Sequence, residues 1–421
     1  MAKIAFKKKN KTEEILLREG DMFLSVDIGT EILKGLLCRI TSSGIEVIKS
    51  SHVWQQHYAM RSGVIQNIEA VTSNLELVYN DLVSDLIGKQ NVALPQKIIL
   101  GVAGELVSGE PVMVSYDRDM DSSAEIDEEE ERAIISNVRE KVILGGVEDL
   151  ANKLDLKSED IIPLHVDLGS VEIGNIRVKR LAGFKGRSVK LFFNAVFAPY
   201  TLVEALVSVV KKLQMEIISI VSQPFAVAKG YTGSGNIDFD GIFIDIGGGT
   251  TDVAIVSKGI ILNSYMLAFG GRIFTERISK EMNIDYRFAE KRKIKYSNGE
   301  LKKHISKELK DLIRQDVSLW ADGVRLTLSE FSDVRVLPSQ IFLCGGGSLL
   351  PDIREIILAY PWKQYLRFIK HPKAKIVKPN EISNIIDKVG LTDTIDVTPL
   401  AIASYVWLMY LEPKNHLSLK L

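Results

Sequence analysis

Three glycine-rich turns in this sequence each follow a short hydrophobic segment, and each could hold a phosphate. They are DIGT at 27–30, DIGGGT at 245–250 and GGGS at 345–348. Glycine lets the backbone approach a ligand closely, and the free N–H groups of a concave turn attract anions. One such turn alone is most often an ordinary tight turn. Their joint occurrence predicts a nucleotide site.

The two common nucleotide-binding loops are absent from these turns. None of the three matches G-x-x-x-x-G-K-[ST] or G-x-G-x-x-G. The first two turns also run from strand to strand, whereas a P-loop or a Rossmann loop runs from strand to helix. We therefore expect the phosphates to lie between two hairpins.

Two aspartates and one lysine accompany the first two turns. Asp27 and Asp245 offer hard oxygen ligands, which suit Mg²⁺ beside nucleotide phosphates, and without a metal two facing aspartates would repel each other. Lys34 follows Asp27 by seven residues. A tight turn between them would bring Lys34 back beside the same phosphates. The alternative is a surface lysine on an edge strand.

The hydrophobic pattern around these residues predicts an internal repeat. Residues 23–40 and 241–256 share the order strand, Asp-Ile-Gly turn, strand, which suggests two halves of common design. Helical spacing predicts helices over 70–88 and 201–213. A helix that is apolar all round, capped by Thr398 and running to Leu411, is predicted to be buried.

Residues 95–198 have an element order of their own and are predicted to form an inserted subdomain. The order is strand, helix, strand, strand, with strands at 98–102, 161–173 and 190–197. The acidic stretch at 117–131 is interpreted as a solvated helix N-terminus or as a charged docking face. Such a unit would bury its own apolar faces.

The composition limits which classes of protein this chain can belong to. The chain has 421 residues, enough for several domains at about 100 to 200 residues each, and 46% of them are hydrophobic. The net charge of −1 gives no overall basic field for nucleic acid. Cys38 and Cys344 form no C-x-x-C pair, which fits a reducing cytoplasm. With no signal peptide and no run of about 18 apolar residues, we expect neither secretion nor a membrane span.

Four segments together resemble the motifs of the actin-like ATPase superfamily. DIGTEILK at 27–34, SQPFAVAKG at 222–230, DIGGGTTD at 245–252 and CGGGSLLPDI at 344–353 are similar to its phosphate 1, connect 1, phosphate 2 and adenosine motifs. Within it, residues 22–411 resemble the FtsA family of bacterial division proteins. GVIQNIEA at 63–70 is similar to a segment of that family, and the inserted unit occupies the place of its subdomain 1C.

The resemblance implies an α/β, two-domain actin-like ATPase fold with an inserted strand-helix-strand-strand subdomain. The implied parts are a flexible basic tail at 1–20, domain I at 21–94 and 199–234, subdomain 1C at 95–198, domain II at 235–398 with a nucleotide-binding helical part at about 285–335, and a C-terminal helix with a short tail at 399–421.

The resemblance also implies a role for each matching residue around Mg-ATP. Asp27 and Asp245 would hold Mg²⁺ through water, and Gln223 would orient the attacking water. Contacts to the phosphates would come from Gly29, Thr30, Lys34, Gly247, Gly248, Gly249 and Thr250. Contacts to the nucleoside would come from Glu290, Lys293, Gly345, Gly346, Gly347 and Ser348. For Glu290 and Lys293 the alternative is a surface ion pair of little energetic value.

The function implied is an ATP-binding cytoskeletal scaffold of bacterial cell division with at most slow ATP hydrolysis. It would self-associate into filaments and recruit FtsZ-like or other division proteins in the cytoplasm. Only ten residues follow Leu411, too few for a linker and an amphipathic membrane helix, so we expect contact with the inner face of the membrane to come through partners.

Two other functions remain open on this core. One is a PilM-like adaptor of type IV pilus assembly that binds a partner peptide without forming filaments. The other is a small-molecule phosphotransferase such as a sugar kinase, which would need an acceptor pocket and a carboxylate base.

Overall fold

The computed structural model describes most of the chain. The described residues are 17–56, 58–89, 93–104, 107–118, 124–233, 238–332, 334–413 and 416–418. The predicted basic tail at 1–20 lies outside them except for residues 17–20.

Residues 22–102 form the first part of domain I. They comprise β1 (Met22–Ile28), β2 (Ile32–Ile40), β3 (Ile45–Trp54), β4 (Met60–Arg61), β5 (Val64–Ile65), α1 (Ile68–Val83) and β6 (Lys97–Val102). Helix α1 begins where the Asn67 side chain accepts a hydrogen bond from the N–H of Ala70. Of its predicted apolar stripe, Val71, Leu75, Val78 and Leu82 are fully buried, whereas Leu86 lies beyond the end of the helix and is partly buried.

The inserted unit follows and has a sheet of its own. It comprises β7 (Ser108–Asp117), α2 (Glu128–Leu154), β8 (Ile161–Ile173), β9 (Ile176–Val178) and β10 (Ser188–Pro199). The acidic stretch lies at the start of α2, where Asp127 caps the helix and four glutamates occupy the first turn. Negative charge is favourable there because of the helix dipole.

The remaining elements complete both domains. The chain continues through α3 (Tyr200–Lys211), β11 (Glu216–Ser222), α4 (Gln223–Thr232), β12 (Gly241–Ile246), β13 (Thr251–Ser257), β14 (Ile260–Leu267), α5 (Gly271–Met282), α6 (Tyr286–Ser297), α7 (Lys303–Ser329), β15 (Gln340–Cys344), α8 (Pro351–Ala359), β16 (Lys373–Ile376), β17 (Ile385–Asp387), α9 (Val397–Leu411) and β18 (His416–Ser418).

Two of the sheets repeat one plan. The strand order is β11-β6-β1-β2-β3-β17 in the first sheet and β14-β13-β12-β15-β16 in the second. In each, an antiparallel meander (β1-β2-β3 or β12-β13-β14) is joined by a parallel strand (β6 or β15) beside its first strand. The internal repeat predicted from the sequence is thereby confirmed.

The structure corrects the start of the inserted unit. Strand β6, predicted to open that unit, lies between β1 and β11 and is parallel to both, so it is an internal strand of the first sheet. The inserted sheet has the order β18-β8-β10-β7, with β9 paired to β8. Its first strand is β7, which the sequence reading overlooked, because Gly109 and Pro111 interrupt the apolar pattern of this edge strand.

Two further boundaries also differ from the prediction. Strand β17 falls within the range expected for domain II, yet it pairs with β3 of the first sheet. Helix α9 starts at Val397 with Asp396 at its N-cap, so Thr398 lies inside the helix and does not cap it. The hydroxyl of Thr398 is therefore available for another partner.

Helix α9 is a core helix. Every residue from Val397 to Met409 is buried, because α9 packs on α4 and on strands of the first sheet, while α4 also contacts the second sheet. The stretch 394–411 is long and apolar enough to cross a membrane, but 83% of it is buried inside the fold, as is usual for a helix between two layers.

Candidate functional site

A cleft between the two repeated sheets brings together nearly all the residues predicted for the site. Its volume is about 260 Å³. The predicted residues that line it are Asp27, Gly29, Thr30, Lys34, Gln223, Asp245, Gly247, Gly248, Thr250, Glu290, Lys293, Gly345, Gly346 and Gly347. Gly249 and Ser348 belong to the same turns without lining the cleft.

Asp27 is held from two sides at the end of β1. The antiparallel register of β1 and β2 places Lys34 directly opposite it, and Lys34 Nζ donates to Asp27 Oδ2 at 2.7 Å. Gln223, the first residue of α4, donates its Nε2 to Asp27 Oδ1 at 2.6 Å and to the carbonyl of Gly101 at 3.3 Å. The interpretation of Lys34 as a surface lysine is wrong, since its side chain is only 13% exposed.

The cleft contains more buried carboxylate groups than buried lysine side chains. Burial lowers the pKa of Lys34, but the charges of Asp27 and Asp245 outweigh burial and raise it, so this lysine stays protonated. Burial raises the pKa of Asp245, against the opposing effects of Lys34 and a hydrogen bond from Thr398. Burial, and then the charge of Asp245, raises the pKa of Asp252 to about 8.

These carboxylates fit a hydrated Mg²⁺ ion. A divalent cation would relieve the burial cost and repulsion that raise the pKa values of Asp245 and Asp252, and carboxylate oxygen is the ligand type that Mg²⁺ prefers. In the described part of the chain, no group of three or more His, Cys, Asp or Glu side chains is arranged to ligate a metal directly. Mg²⁺ usually keeps several of its waters in protein sites, so one or two carboxylates are enough to hold it beside phosphates.

The second glycine turn is fixed by backbone hydrogen bonds. The N–H of Gly247 donates to the carbonyl of Thr250 at 2.9 Å, and the N–H of Arg272 in α5 donates to the carbonyl of Gly248 at 2.7 Å. A Cβ atom at Gly248 would lie 2.3 Å from Cγ of Glu31. Glycine is required here because the turns of the two domains touch each other.

The third turn depends on glycine in the same way. Gly345 has φ of +76°, and a Cβ atom there would lie 2.2 Å from Oδ1 of Asp245. Ser348 is buried and donates its hydroxyl to the carbonyl of Gly345 at 2.6 Å. This serine closes its own turn.

Glu290 and Lys293 form a buried pair on α6. Lys293 Nζ lies 2.8 Å from Glu290 Oε2 and also donates to the carbonyl of Gly271 and the hydroxyl of Thr275, at 2.9 and 2.7 Å. The interpretation of the two as a surface ion pair is wrong, since both residues are less than a tenth exposed. They join α6 to α5 at the wall of the cleft, and their contact with a nucleoside stays a prediction.

Sequence reasoning missed several residues of the site. Asp252 stands opposite Asp245 in the hairpin register, so the hairpin pattern could have indicated it. Thr398 donates its Oγ1 to Asp245 Oδ2 at 2.7 Å, and Arg272 pairs with Glu31 across the domains. No local signal marks these last contacts, because the partners are 153 and 241 residues apart in the chain.

Comparison with known proteins finds similarity to one family of division proteins. Residues 242–387 match the family model "Cell division protein FtsA". The chain is 22% identical over 362 residues to the cell division protein FtsA of Streptococcus pneumoniae, covering 81% of this chain and 74% of that protein. It is 20% identical over 272 residues to FtsA of Bacillus subtilis, covering 64% and 56%.

Among solved structures, a chain of the "PilM-PilN type IV pilus biogenesis complex" is similar in fold. The TM-score is 0.65 at 16% sequence identity, covering 92% of this chain and 98% of that one. At this identity the similarity concerns the fold alone. The predicted two-domain actin-like fold is confirmed.

Proposed function

We propose that this chain is an actin-like ATPase of the FtsA type, which binds Mg-ATP between its two domains and acts as a scaffold in bacterial cell division. The observation that carries the proposal is the convergence of three glycine turns and two buried aspartates on one cleft. Each turn offers backbone N–H groups suited to phosphate. One turn comes from domain I and two from domain II, so a ligand held by all three would join the domains.

Each residue has a role in this proposal. Asp27 and Asp245 hold Mg²⁺ through its waters, and Lys34 contacts the β-phosphate. Gly29 and Thr30, with the turn 247–250, surround the phosphates, while α6 and the turn 345–348 contact the nucleoside. The bound Mg²⁺ would neutralise phosphate charge.

The scaffold role follows from domain closure. ATP held by both domains keeps them together, and loss of the γ-phosphate weakens that link. Self-association and recruitment of FtsZ-like or other division proteins then depend on the bound nucleotide. The protein works in the cytoplasm, reaching the inner face of the membrane through partners, and hydrolyses ATP slowly.

The experiment that tests nucleotide binding is calorimetric titration with ATP and Mg²⁺. Replacing Asp245 with alanine removes one of the two metal-facing carboxylates, and we expect it to weaken binding of Mg-ATP by about 1 to 3 kcal/mol, the range for charge-assisted contacts. Asp311→Ala, on the exposed face of α7, is the matched control and should bind like the wild type. Unchanged affinity in Asp245→Ala would refute the assignment of the phosphate turns.

Gln223 is expected to act on turnover more than on binding. A residue that positions the attacking water contributes in the transition state, so Gln223→Ala should slow ATP hydrolysis by roughly tenfold or more. Affinity should change little, because Lys34 still holds Asp27 after Gln223 is removed. Gln340→Ala, at the half-buried start of β15 and outside the cleft, serves as control. Equal losses in binding and turnover, or an unchanged rate, would make Gln223 a structural link between Asp27 and Gly101.

Filament formation separates the scaffold from an adaptor. Negative-stain imaging with Mg-ATP on a lipid monolayer should show filaments of the wild type. Their absence, together with binding of a partner's peptide, would favour the PilM-like adaptor.

A further inference from the structure

The first turn of helix α9 touches both strands that carry the metal-facing aspartates. Thr398 Oγ1 donates to Asp245 Oδ2 at 2.7 Å. The next residue, Pro399, accepts a hydrogen bond at its carbonyl from Ser25 Oγ, also at 2.7 Å. Ser25 lies two residues before Asp27 on β1 and points to the same face of the strand. Adjacent residues of one helix thus bind strands of both domains.

Both contacts are sealed from solvent. Ser25 is 0% exposed and Thr398 is 2% exposed, so water does not compete for either hydrogen bond. Removing a buried donor from a carboxylate therefore costs more than the same change at the surface. The carbonyl of Pro399 is able to accept from Ser25 because it lies in the helix turn that packs on β1.

The carboxylate of Asp245 is fixed at both oxygens. Oδ2 receives the hydroxyl of Thr398, and Oδ1 packs against Gly345 so closely that a Cβ atom there would lie 2.2 Å away. Rotation of an aspartate about its last side-chain torsion is otherwise broad. The hydroxyl of Thr398 therefore selects one orientation of this group.

We infer that Thr398 is a positioning residue for Mg-ATP binding, because it orients the carboxylate of Asp245. The hydrogen bond from Ser25 to Pro399 holds the same helix turn against β1. This inference rests on the proposed function. It assigns to α9, which lies outside the four motifs, the task of setting the two aspartates relative to each other. A merely structural Thr398 would affect stability without affecting the use of Mg²⁺.

The test compares Thr398→Val, which removes the hydroxyl at nearly constant volume, with Thr398→Ser, which keeps it. We expect Thr398→Val to weaken ATP binding in Mg²⁺ by about tenfold and to leave ATP binding in EDTA within about twofold of the wild type. Thr398→Ser should bind in Mg²⁺ within about threefold of the wild type. Ser25→Ala, which loosens the same turn from the domain I side, should weaken binding in Mg²⁺ by about threefold.

Thr72→Val is the matched control. Its buried hydroxyl donates to the carbonyl of Ile68 within α1, and Thr72 does not line the cleft. Its loss should leave binding in both conditions unchanged.

Three results would overturn the inference. They are wild-type affinity of Thr398→Val in Mg²⁺, an equal loss with and without Mg²⁺, and a Thr398→Ser variant as weak as Thr398→Val. If the wild type itself binds no ATP, the proposed function fails and the inference fails with it. If the wild type binds Mg-ATP and Thr398→Val binds it equally well, the inference is refuted while the proposed function stands.

Discussion

Deleting residues 95–198 is expected to leave no soluble folded protein. The deletion removes β6, which pairs with β1 on one side and with β11 on the other. It would expose two unpaired strand edges in the middle of the first sheet, together with the apolar groups that Ile98 and Leu100 now cover. Sedimentation of the expressed variant, followed by a nucleotide-binding assay, measures the result.

A shorter deletion gives the matched comparison. Removing 108–198 and joining the ends with a Gly/Ser linker keeps β6 and therefore all strands of the first sheet. It still exposes part of domain I, because Leu164, Val196 and Ala198 pack into that domain's core. We expect a clearly larger soluble fraction than for the longer deletion. If the longer deletion were as soluble as the shorter one and both bound nucleotide, β6 would be dispensable.

The local hydrophobic pattern was sufficient to predict the two hairpins and the residue pair that the first hairpin brings together. Each Asp-Ile-Gly turn lies between two apolar segments, so the chain must reverse there. Reversal at 28–31 brings Lys34 opposite Asp27, and the observed register has that pair. The apolar stripe of α1 was predictable for the same reason, because its period of three to four residues marks one buried face.

Parallel pairing could not be predicted in this way. In the sequence, β6 is a short apolar segment, and its residues do not indicate that it pairs with β1, some seventy residues earlier. Parallel neighbours are joined by a crossover, so the partner is fixed by the packing of the whole domain. The same holds for β17, whose three residues pair with β3.

The site shows the same limit. The glycine turns were predictable as anion-binding turns. The contact of Gly249 with Thr30 was not, because it depends on how the two domains pack together. Thr398 has a local interpretation, a helix cap, that the structure replaces with a contact to Asp245. Local patterns thus gave the residue types of the site, while domain packing gave the partners.

Replacing Lys34 with methionine is expected to have the largest single-residue effect on the site. Methionine keeps the length of the side chain and removes the charge, so the buried carboxylates of Asp27 and Asp245 lose the cation between them. Breaking a buried ion pair by removing one partner costs about 3 to 5 kcal/mol. We expect urea unfolding to show a loss of that size, and Mg-ATP binding to weaken as well because the proposed contact of Lys34 with the β-phosphate would be lost.

The response to Mg²⁺ distinguishes an electrostatic cause from poor packing. If unpaired carboxylates destabilise Lys34→Met, Mg²⁺ alone should stabilise this variant more than it stabilises the wild type, because the ion supplies the missing positive charge. Lys49→Met removes a lysine whose partners Asp81 and Asp85 are exposed, and it should cost about 1 kcal/mol or less. Lys34→Met as stable as Lys49→Met, or insensitive to Mg²⁺, would show that the carboxylates of the cleft do not depend on Lys34.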